Sequence, residues 1–171
     1  ARKEQKIAYA PSLAISIMPQ EREKDYKRYL QNWKALSCRE DDGAKILGRF
    51  TKMPIPVVVD PTLLLTTEQW SKLASNHKIP YKYLVLYTIG ELKAEYQSYV
   101  NRIAKERNLC IINLNEGKYK GSGPSEFLRI MQDASLMVTD SFHGSVFALQ
   151  FHVPLVVYKR IEQGRHDQLS R

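Results

Sequence analysis

The second half of the chain alternates between short apolar runs and longer segments with helical character. The apolar runs are "YLVLYTI" from residue 83, "LCIINL" from 109, "LMVTD" from 136 and "VPLVVYK" from 153. Nearly continuous apolar runs of this length are typical of strands buried on both faces of a parallel sheet. Helices are predicted between them, at 91–108, 124–134 and 143–151. This alternation predicts an α/β protein, whose ligands bind at the carboxyl ends of the strands.

The first half repeats the alternation on a smaller scale. Its predicted strands are 6–10, 35–40 and 55–61, and its predicted helices are 21–36 and 41–50. Helical spacing in the first of these helices predicts one buried stripe, formed by Tyr26, Tyr29, Leu30, Trp33 and Leu36. A capping box at Thr66 and Gln69 then opens a short helix. We interpret residues 67–79 as a connection between a unit at 1–66 and a second unit at 80–171.

Charge and composition limit the function classes. The chain has 26 Lys and Arg against 18 Asp and Glu, a net charge of +8, which favours acidic partners such as nucleic acid, an anionic membrane face or a phosphorylated substrate. The basic residues are mixed with acidic ones, as on solvated helix faces, so a nucleic-acid stripe is disfavoured. No apolar run is long enough to span a membrane. Cys38 and Cys110 are too few for a disulfide framework, and we expect buried thiols in a reducing cytoplasm.

The stretch "LMVTDSFHGSV", residues 136–146, is the first candidate site. An apolar strand leads directly into Asp140 and Ser141, which are good helix N-cap residues, and Gly144 and Ser145 follow in the first turn. A strand-to-helix corner of this kind attracts anions, and Gly144 is expected to let a ligand approach the backbone. His143 can donate a hydrogen bond or move a proton near neutral pH. The alternative is a capped helix whose His143 bonds a local carbonyl.

Several stretches resemble the polysaccharide pyruvyl transferase family. The resemblance is carried, in chain order, by "IAYAPSL", "LSCREDDG", "VVVDPTLLLTTEQW", "GPSEFL" and "DASLMVTDSFHGSVFALQFHVPLVV", which together extend over nearly the whole chain. It implies a Rossmann-like, GT-B-type architecture of two domains that face a cleft. Residues 1–66 would then be the latter part of the first domain, lacking its start, and residues 80–171 the second domain, incomplete at its C-terminus.

The resemblance also implies a reaction. Relatives transfer pyruvate from phosphoenolpyruvate to sugar hydroxyls as a ketal, during assembly of cell-surface polysaccharide. The expected partners are phosphoenolpyruvate and a sugar or lipid-linked oligosaccharide acceptor, with no cofactor, no metal and no nucleic acid. A cytoplasmic location is expected, with peripheral contact at the inner membrane face as a further hypothesis.

Site roles follow from the motif positions that the resemblance matches. His143 and Asp140 are the catalytic candidates, with His143 as phosphate contact or acid. The substrate-binding candidates are Arg39, Ser141, Gly144, Ser145 and Ser12. The structural alternatives are that Arg39 pairs with Glu40 at the surface, that Ser12 shapes a turn, that Asp60 ends a strand and that Asp140 is a cap.

The identity of the donor stays open at the level of the sequence. Some relatives carry arginine directly before the motif histidine, where this chain has Phe142. A GT-B glycosyltransferase that uses a nucleotide-sugar is therefore an alternative, with Glu116 as its candidate ribose-binding carboxylate. A non-catalytic module that binds an anion or a sugar is the other alternative.

Overall fold

The computed structural model describes residues 6–159. The chain divides into two compact units, Ala1–Leu64 and Leu65–Arg171. Both contain parallel strands, so the prediction of an α/β protein is confirmed. The GT-B arrangement stays a prediction.

The first unit is built around a small parallel sheet. Its strands are β1 (Ile7–Ala8) and β2 (Ala35–Leu36), and its helices are α1 (Gln20–Tyr29) and α2 (Asp41–Gly48). Asp41 and Asp42 lie in the first turn of α2, where the helix dipole favours acidic side chains.

The predicted buried stripe of the first long helix is wrong. None of the residues of α1 is buried, and Tyr29 is 60% exposed. The helix ends at Tyr29, and Asn32, three residues further on, adopts a left-handed conformation with φ of 59°. The chain then turns so that the Lys34 N–H donates to the Lys6 carbonyl, and Leu36 is buried in β2. Pairing with β1 thus replaces the last turns of the predicted helix.

The predicted strand at 55–61 forms only one bridge, between Cys38 and Val57. The Cys38 N–H donates to the Pro56 carbonyl at 3.0 Å, and the Val58 N–H donates to the Cys38 carbonyl at 2.9 Å. Proline has no N–H to donate, so Pro56, directly before Val57, adds no donor to the ladder.

The second unit contains a four-stranded parallel sheet in the order β4-β3-β5-β6. Its elements are α3 (Thr67–Leu73), β3 (Tyr83–Tyr87), α4 (Ala94–Glu106), β4 (Cys110–Asn113), α5 (Pro124–Gln132), β5 (Leu136–Thr139), α6 (Phe142–Gln150) and β6 (Leu155–Val157). These strands and helices occur where the alternation of the sequence predicts them. β4 is an edge strand, and Cys110 is exposed there, which corrects the prediction that both thiols are buried; Cys38 is buried.

Two apolar clusters cover the two faces of this sheet. Tyr83 and Val85 of β3 point into a cluster with Phe147 of α6, whereas Leu84 and Leu86 point into a second cluster with Val100 of α4. Successive side chains of a strand alternate between faces, so a run that is buried on both faces must be apolar throughout. The sheet is therefore the middle layer of three.

Helix α3 belongs to the second unit. Its capping box at Thr66 and Gln69 is confirmed, because the Thr66 hydroxyl accepts from the Gln69 N–H and the Gln69 side chain accepts from the Thr66 N–H. The Trp70 ring packs edge-on against Phe147 with ring centroids 5.1 Å apart. The Thr67 hydroxyl donates to the Gln150 carbonyl at 2.7 Å, which ties α3 to the end of α6.

Candidate functional site

The order of the strands defines a switch point in the second unit. From β3 the chain passes through α4 to β4 on one side, whereas β5 and β6 lie on the other side of β3. Helix α4, which follows β3, packs on one face of the sheet, and α6, which follows β5, packs on the opposite face. Open α/β sheets bind ligands in the crevice outside the carboxyl ends of the two strands at such a point. Here those strands are β3 and β5.

The corner after β5, residues 140–145, is held by local hydrogen bonds. The Ser141 hydroxyl caps α6 by accepting from the Gly144 N–H at 3.2 Å, and the Ser141 N–H donates to the Thr139 hydroxyl at 2.9 Å. The Ser145 hydroxyl donates back to the Ser141 carbonyl at 2.9 Å. The predicted N-cap role is therefore confirmed for Ser141. The hydroxyls of Ser141 and Ser145 thus both form hydrogen bonds within the first turn of α6.

Asp140 ties this corner to the loop that follows β3. Its carboxylate is fully buried, and its two oxygens accept from the N–H groups of Ile89 at 2.7 Å and Gly90 at 3.0 Å. Hydrogen bonds to a charged carboxylate are stronger than those between neutral groups. The two loops at the switch point are thus fixed to each other through Asp140, while the capping of α6 falls to Ser141.

Gly144 lets α6 lie close to the sheet. A Cβ atom at this position would be 2.8 Å from the Thr139 hydroxyl oxygen, 3.1 Å from the Met137 methyl and 3.2 Å from the Tyr87 ring. Gly144 is buried, so the close approach that its missing side chain permits is that of helix to strand. The expected approach of a ligand to the Gly144 backbone stays a prediction.

His143 and Phe142 are the side chains that the corner presents at the surface. Both residues are exposed, whereas Asp140, Ser141 and Gly144 are buried. The Phe142 and His143 rings contact each other edge to face, with centroids 5.3 Å apart. Because they occupy the first turn of α6, they lie at the positive end of the helix dipole.

Two structural residues at this edge escaped the sequence-based prediction. The Thr139 hydroxyl donates to the Tyr87 carbonyl at 2.6 Å, which joins the ends of β5 and β3. The Asn115 amide pairs with both backbone groups of Thr88, at 2.9 Å from the Thr88 N–H and 2.7 Å to the Thr88 carbonyl. The signal in the sequence was a polar residue at or just beyond the end of an apolar run.

The predicted residues of the first unit form a separate group. Arg39 makes an ion pair with Asp60, which is 3% exposed, and does not pair with Glu40. Asp60 also accepts from the Thr62 N–H at 3.0 Å and the Thr62 hydroxyl at 2.6 Å, and so caps the 3-10 helix Pro61–Leu63.

Ser12 lies against the carboxylate of Glu40. The Ser12 hydroxyl donates to Glu40 Oε1 at 3.0 Å, and the N–H groups of Leu13 and Ala14 donate to the same oxygen at 2.7 and 3.1 Å. Arg39 and Glu40 come three and four residues after the end of β2, so these groups lie beyond the carboxyl end of that strand.

An open groove on the α4 side of the sheet has different chemistry. Its volume is about 420 Å³, and its lining is apolar and tyrosine-rich, with Glu95 as the charged member. A phosphate needs cations or N–H donors, so this groove does not suit an anionic ligand.

Within residues 6–159, no three His, Cys, Asp or Glu side chains are grouped to hold a metal ion. The same part of the chain contains no helix of the length and hydropathy that crossing a membrane requires.

A parallel α/β unit with this strand order and a capped helix after β5 is consistent with a Rossmann-like fold. The family model for polysaccharide pyruvyl transferase matches residues 1–160 of this chain. The chain therefore belongs to the polysaccharide pyruvyl transferase family, which indicates a transferase. No curated protein and no solved structure matches it.

Proposed function

We propose that this protein transfers pyruvate from phosphoenolpyruvate to a sugar, forming a ketal during synthesis of a cell-surface polysaccharide. Membership of the family supports the reaction class. The observation that carries the assignment of the site is the exposed His143 in the first turn of α6, at the carboxyl end of β5. Phosphoenolpyruvate has a phosphate and a carboxylate, and a helix N-terminus favours both charges.

The reaction needs a proton donor and anion binding. One sugar hydroxyl adds to C2 of phosphoenolpyruvate and releases its proton, while C3 gains one proton and becomes a methyl group. A second hydroxyl then attacks C2, the C2–O bond to phosphate breaks, and phosphate leaves with the hydroxyl proton. In this proposal His143 contacts the phosphate and supplies a proton. Lys118 and Lys120, exposed in the loop after β4, supply further positive charge at this edge.

In this proposal Asp140 is a positioning residue. Both of its oxygens already accept backbone N–H groups, and its side chain is enclosed. A carboxylate with both oxygens engaged in this way is not placed to accept a proton from a substrate hydroxyl. Asp140 would instead keep the loop after β3 in place beside His143.

A nucleotide-sugar donor is the second candidate, and Phe142 is the observation that favours it. Phe142 is 39% exposed where some relatives carry arginine, so the corner presents an aromatic ring where a guanidinium would clamp phosphate. Glu116, the candidate ribose contact, is exposed at the start of the 3-10 helix Gly117–Tyr119 that follows β4. A GT-B cleft would serve either donor.

The partners and location follow from the proposed reaction. The acceptor would be a sugar or a lipid-linked oligosaccharide, with no nucleic acid and no cofactor involved. Both the donor and activated sugar precursors occur in the cytoplasm, and the net charge of +8 would favour contact with an anionic inner membrane face. Recovery of the protein outside the cell in fractionation would contradict this location.

Calorimetric titration of the protein with phosphoenolpyruvate, and separately with UDP-glucose, tests the donor. His143→Ala is the site variant, and His77→Ala is the control, because exposed His77 lies in the loop between α3 and β3, outside the corner at residues 140–145. We expect phosphoenolpyruvate to bind to the parent and to His77→Ala, and about tenfold more weakly to His143→Ala. Binding of UDP-glucose without phosphoenolpyruvate would reject the pyruvyl donor in favour of the second candidate.

A further inference from the structure

The loop after β1, residues 9–14, is held in a strained conformation at the carboxyl end of the first unit's sheet. Ala10 and Ala14 have φ of 51° and 54°, in the left-handed region that non-glycine residues rarely adopt. The Ala10 N–H donates to the Ser37 hydroxyl at 2.8 Å, and the Arg39 N–H donates to the Pro11 carbonyl at 3.2 Å. Residues that follow β2 therefore fix the loop that follows β1.

Glu40 completes this arrangement with one of its two oxygens. Oε1 accepts from the Ser12 hydroxyl and from the N–H groups of Leu13 and Ala14. Within residues 6–159 the carboxylate has no ion-pair partner, and Oε2 accepts no hydrogen bond. Glu40 is half-buried and so remains accessible from one side. The carboxylate is thus immobilised through Oε1 while Oε2 keeps its capacity to accept.

The geometry also fixes the direction of the Ser12 hydroxyl. An ionised carboxylate only accepts hydrogen bonds, so the proton of Ser12 points to Glu40. The Ser12 oxygen, which is half-buried, then has only lone pairs to offer to a ligand. Ser12 Oγ and Glu40 Oε2 together form a pair of acceptors with a negative charge.

The backbone at Gly43 lies close to the Glu40 carboxylate. A Cβ atom at Gly43 would lie 3.1 Å from Glu40 Oε1 and 2.5 Å from the sulfur of the buried Cys38. The start of α2 therefore packs directly against the Glu40 side chain. A group held this firmly loses little entropy when a ligand binds, which favours a binding role.

We propose that Ser12 and Glu40 form a subsite for the hydroxyl groups of a sugar. Sugar hydroxyls are donors that match two fixed acceptors, whereas a phosphate or carboxylate would meet like charge and no donor proton. This inference deepens the proposed function and rests on it: the sugar bound at this edge of the first unit would be the acceptor.

Methyl glycosides of glucose, galactose and mannose are suitable probes, with binding followed by ligand-observed NMR titration. The site variants are Ser12→Ala and Glu40→Gln, the second of which replaces an acceptor oxygen by an NH₂ donor. Ser12→Thr retains the hydroxyl, and Ser16→Ala alters an exposed serine of the same segment. Circular dichroism establishes that each variant folds as the parent does.

We expect at least one glycoside to bind to the parent, to Ser12→Thr and to Ser16→Ala. Ser12→Ala and Glu40→Gln should each weaken it by about tenfold, the usual effect of losing one hydrogen bond to a charged or fixed partner. Phosphoenolpyruvate binding should be the same in all five proteins. Equal glycoside affinity across the set, or no glycoside binding to the parent, would overturn the subsite.

The two proposals fail in distinguishable ways. Suppose that His143→Ala loses phosphoenolpyruvate binding but Ser12→Ala leaves glycoside affinity unchanged. That result would support the donor site and reject the sugar subsite. Glycoside binding that depends on Ser12, in a protein that does not bind phosphoenolpyruvate, would support the subsite and reject the pyruvyl donor.

Discussion

Replacement of Gly144 by alanine tests whether the switch-point corner is built on close helix packing. The added Cβ would lie 2.8 Å from the Thr139 hydroxyl oxygen, closer than Cβ atoms approach such an atom. That oxygen donates to the Tyr87 carbonyl and accepts from the Ser141 N–H. A shift of Thr139 or of α6 would therefore strain both bonds, in addition to the overlap itself.

The expected loss of stability combines three terms. Overpacking of a filled core costs about 1 to 3 kcal/mol, and each weakened hydrogen bond costs about 1 kcal/mol. The helix propensity of alanine returns about 1 kcal/mol relative to glycine. We therefore expect Gly144→Ala to lower the free energy of unfolding of the second unit by about 3 kcal/mol.

The assay is urea unfolding followed by the fluorescence of Trp70, in a Trp33→Phe background so that one tryptophan reports. Trp70 packs against Phe147 of α6, which makes it sensitive to the helix in question. Gly48→Ala is the matched control, because a Cβ at Gly48 of α2 meets no atom within 4 Å. If Gly144→Ala unfolds at the same urea concentration as the control, the packing argument is refuted.

Three further perturbations follow from single contacts, and urea unfolding measures each of them. Asp140→Asn should lower the free energy of unfolding by about 2 to 3 kcal/mol, because an amide has one acceptor oxygen where Ile89 and Gly90 both donate; an unchanged midpoint would contradict this. Thr66→Ala removes half of a capping box and should lower the free energy of unfolding by about 1 kcal/mol. A loss below a few tenths of a kcal/mol would show that the box is dispensable. Burial raises the pKa of Tyr83 above its ordinary value, so the folded state holds this proton more tightly, and stability should fall as the pH rises above about 10. Tyr83→Phe should lose about 1 kcal/mol at pH 7 and fall less steeply at high pH; parallel pH profiles would count against the assignment.

The alternation of strands and helices in the second unit was predictable because its core is simple. A strand that is buried on both faces cannot carry polar side chains, so β3 and β5 are visible in the sequence as apolar runs. The capping box at Thr66 is a local interaction of four residues, and its prediction needed no tertiary information.

The prediction of secondary structure and burial failed in the first unit, where pairing with a distant segment overrode the local preference of the sequence. The stripe of Tyr26 and Tyr29 has helical spacing, yet α1 buries none of its residues, and the chain leaves the helix to pair β2 with β1. The predicted strand at 55–61 has β-branched residues, yet it forms a single bridge with Cys38, and its Pro56 has no N–H to donate. Spacing indicates that a face is apolar, and only packing decides whether another element covers it.

The sequence by itself determined the α/β class, the family and the corner that carries His143, because these depend on local patterns of apolar residues, caps and motifs. Only the tertiary structure decided what each residue of the corner does. The same short stretch contains a buried carboxylate that binds the loop after β3, a glycine that admits the helix to the sheet, and an exposed histidine. Likewise, Arg39 pairs with Asp60 and Glu40 with Ser12. Partners that lie twenty or more residues apart are chosen by the folded chain, since hydrogen bonds and ion pairs depend on distances that no local pattern contains.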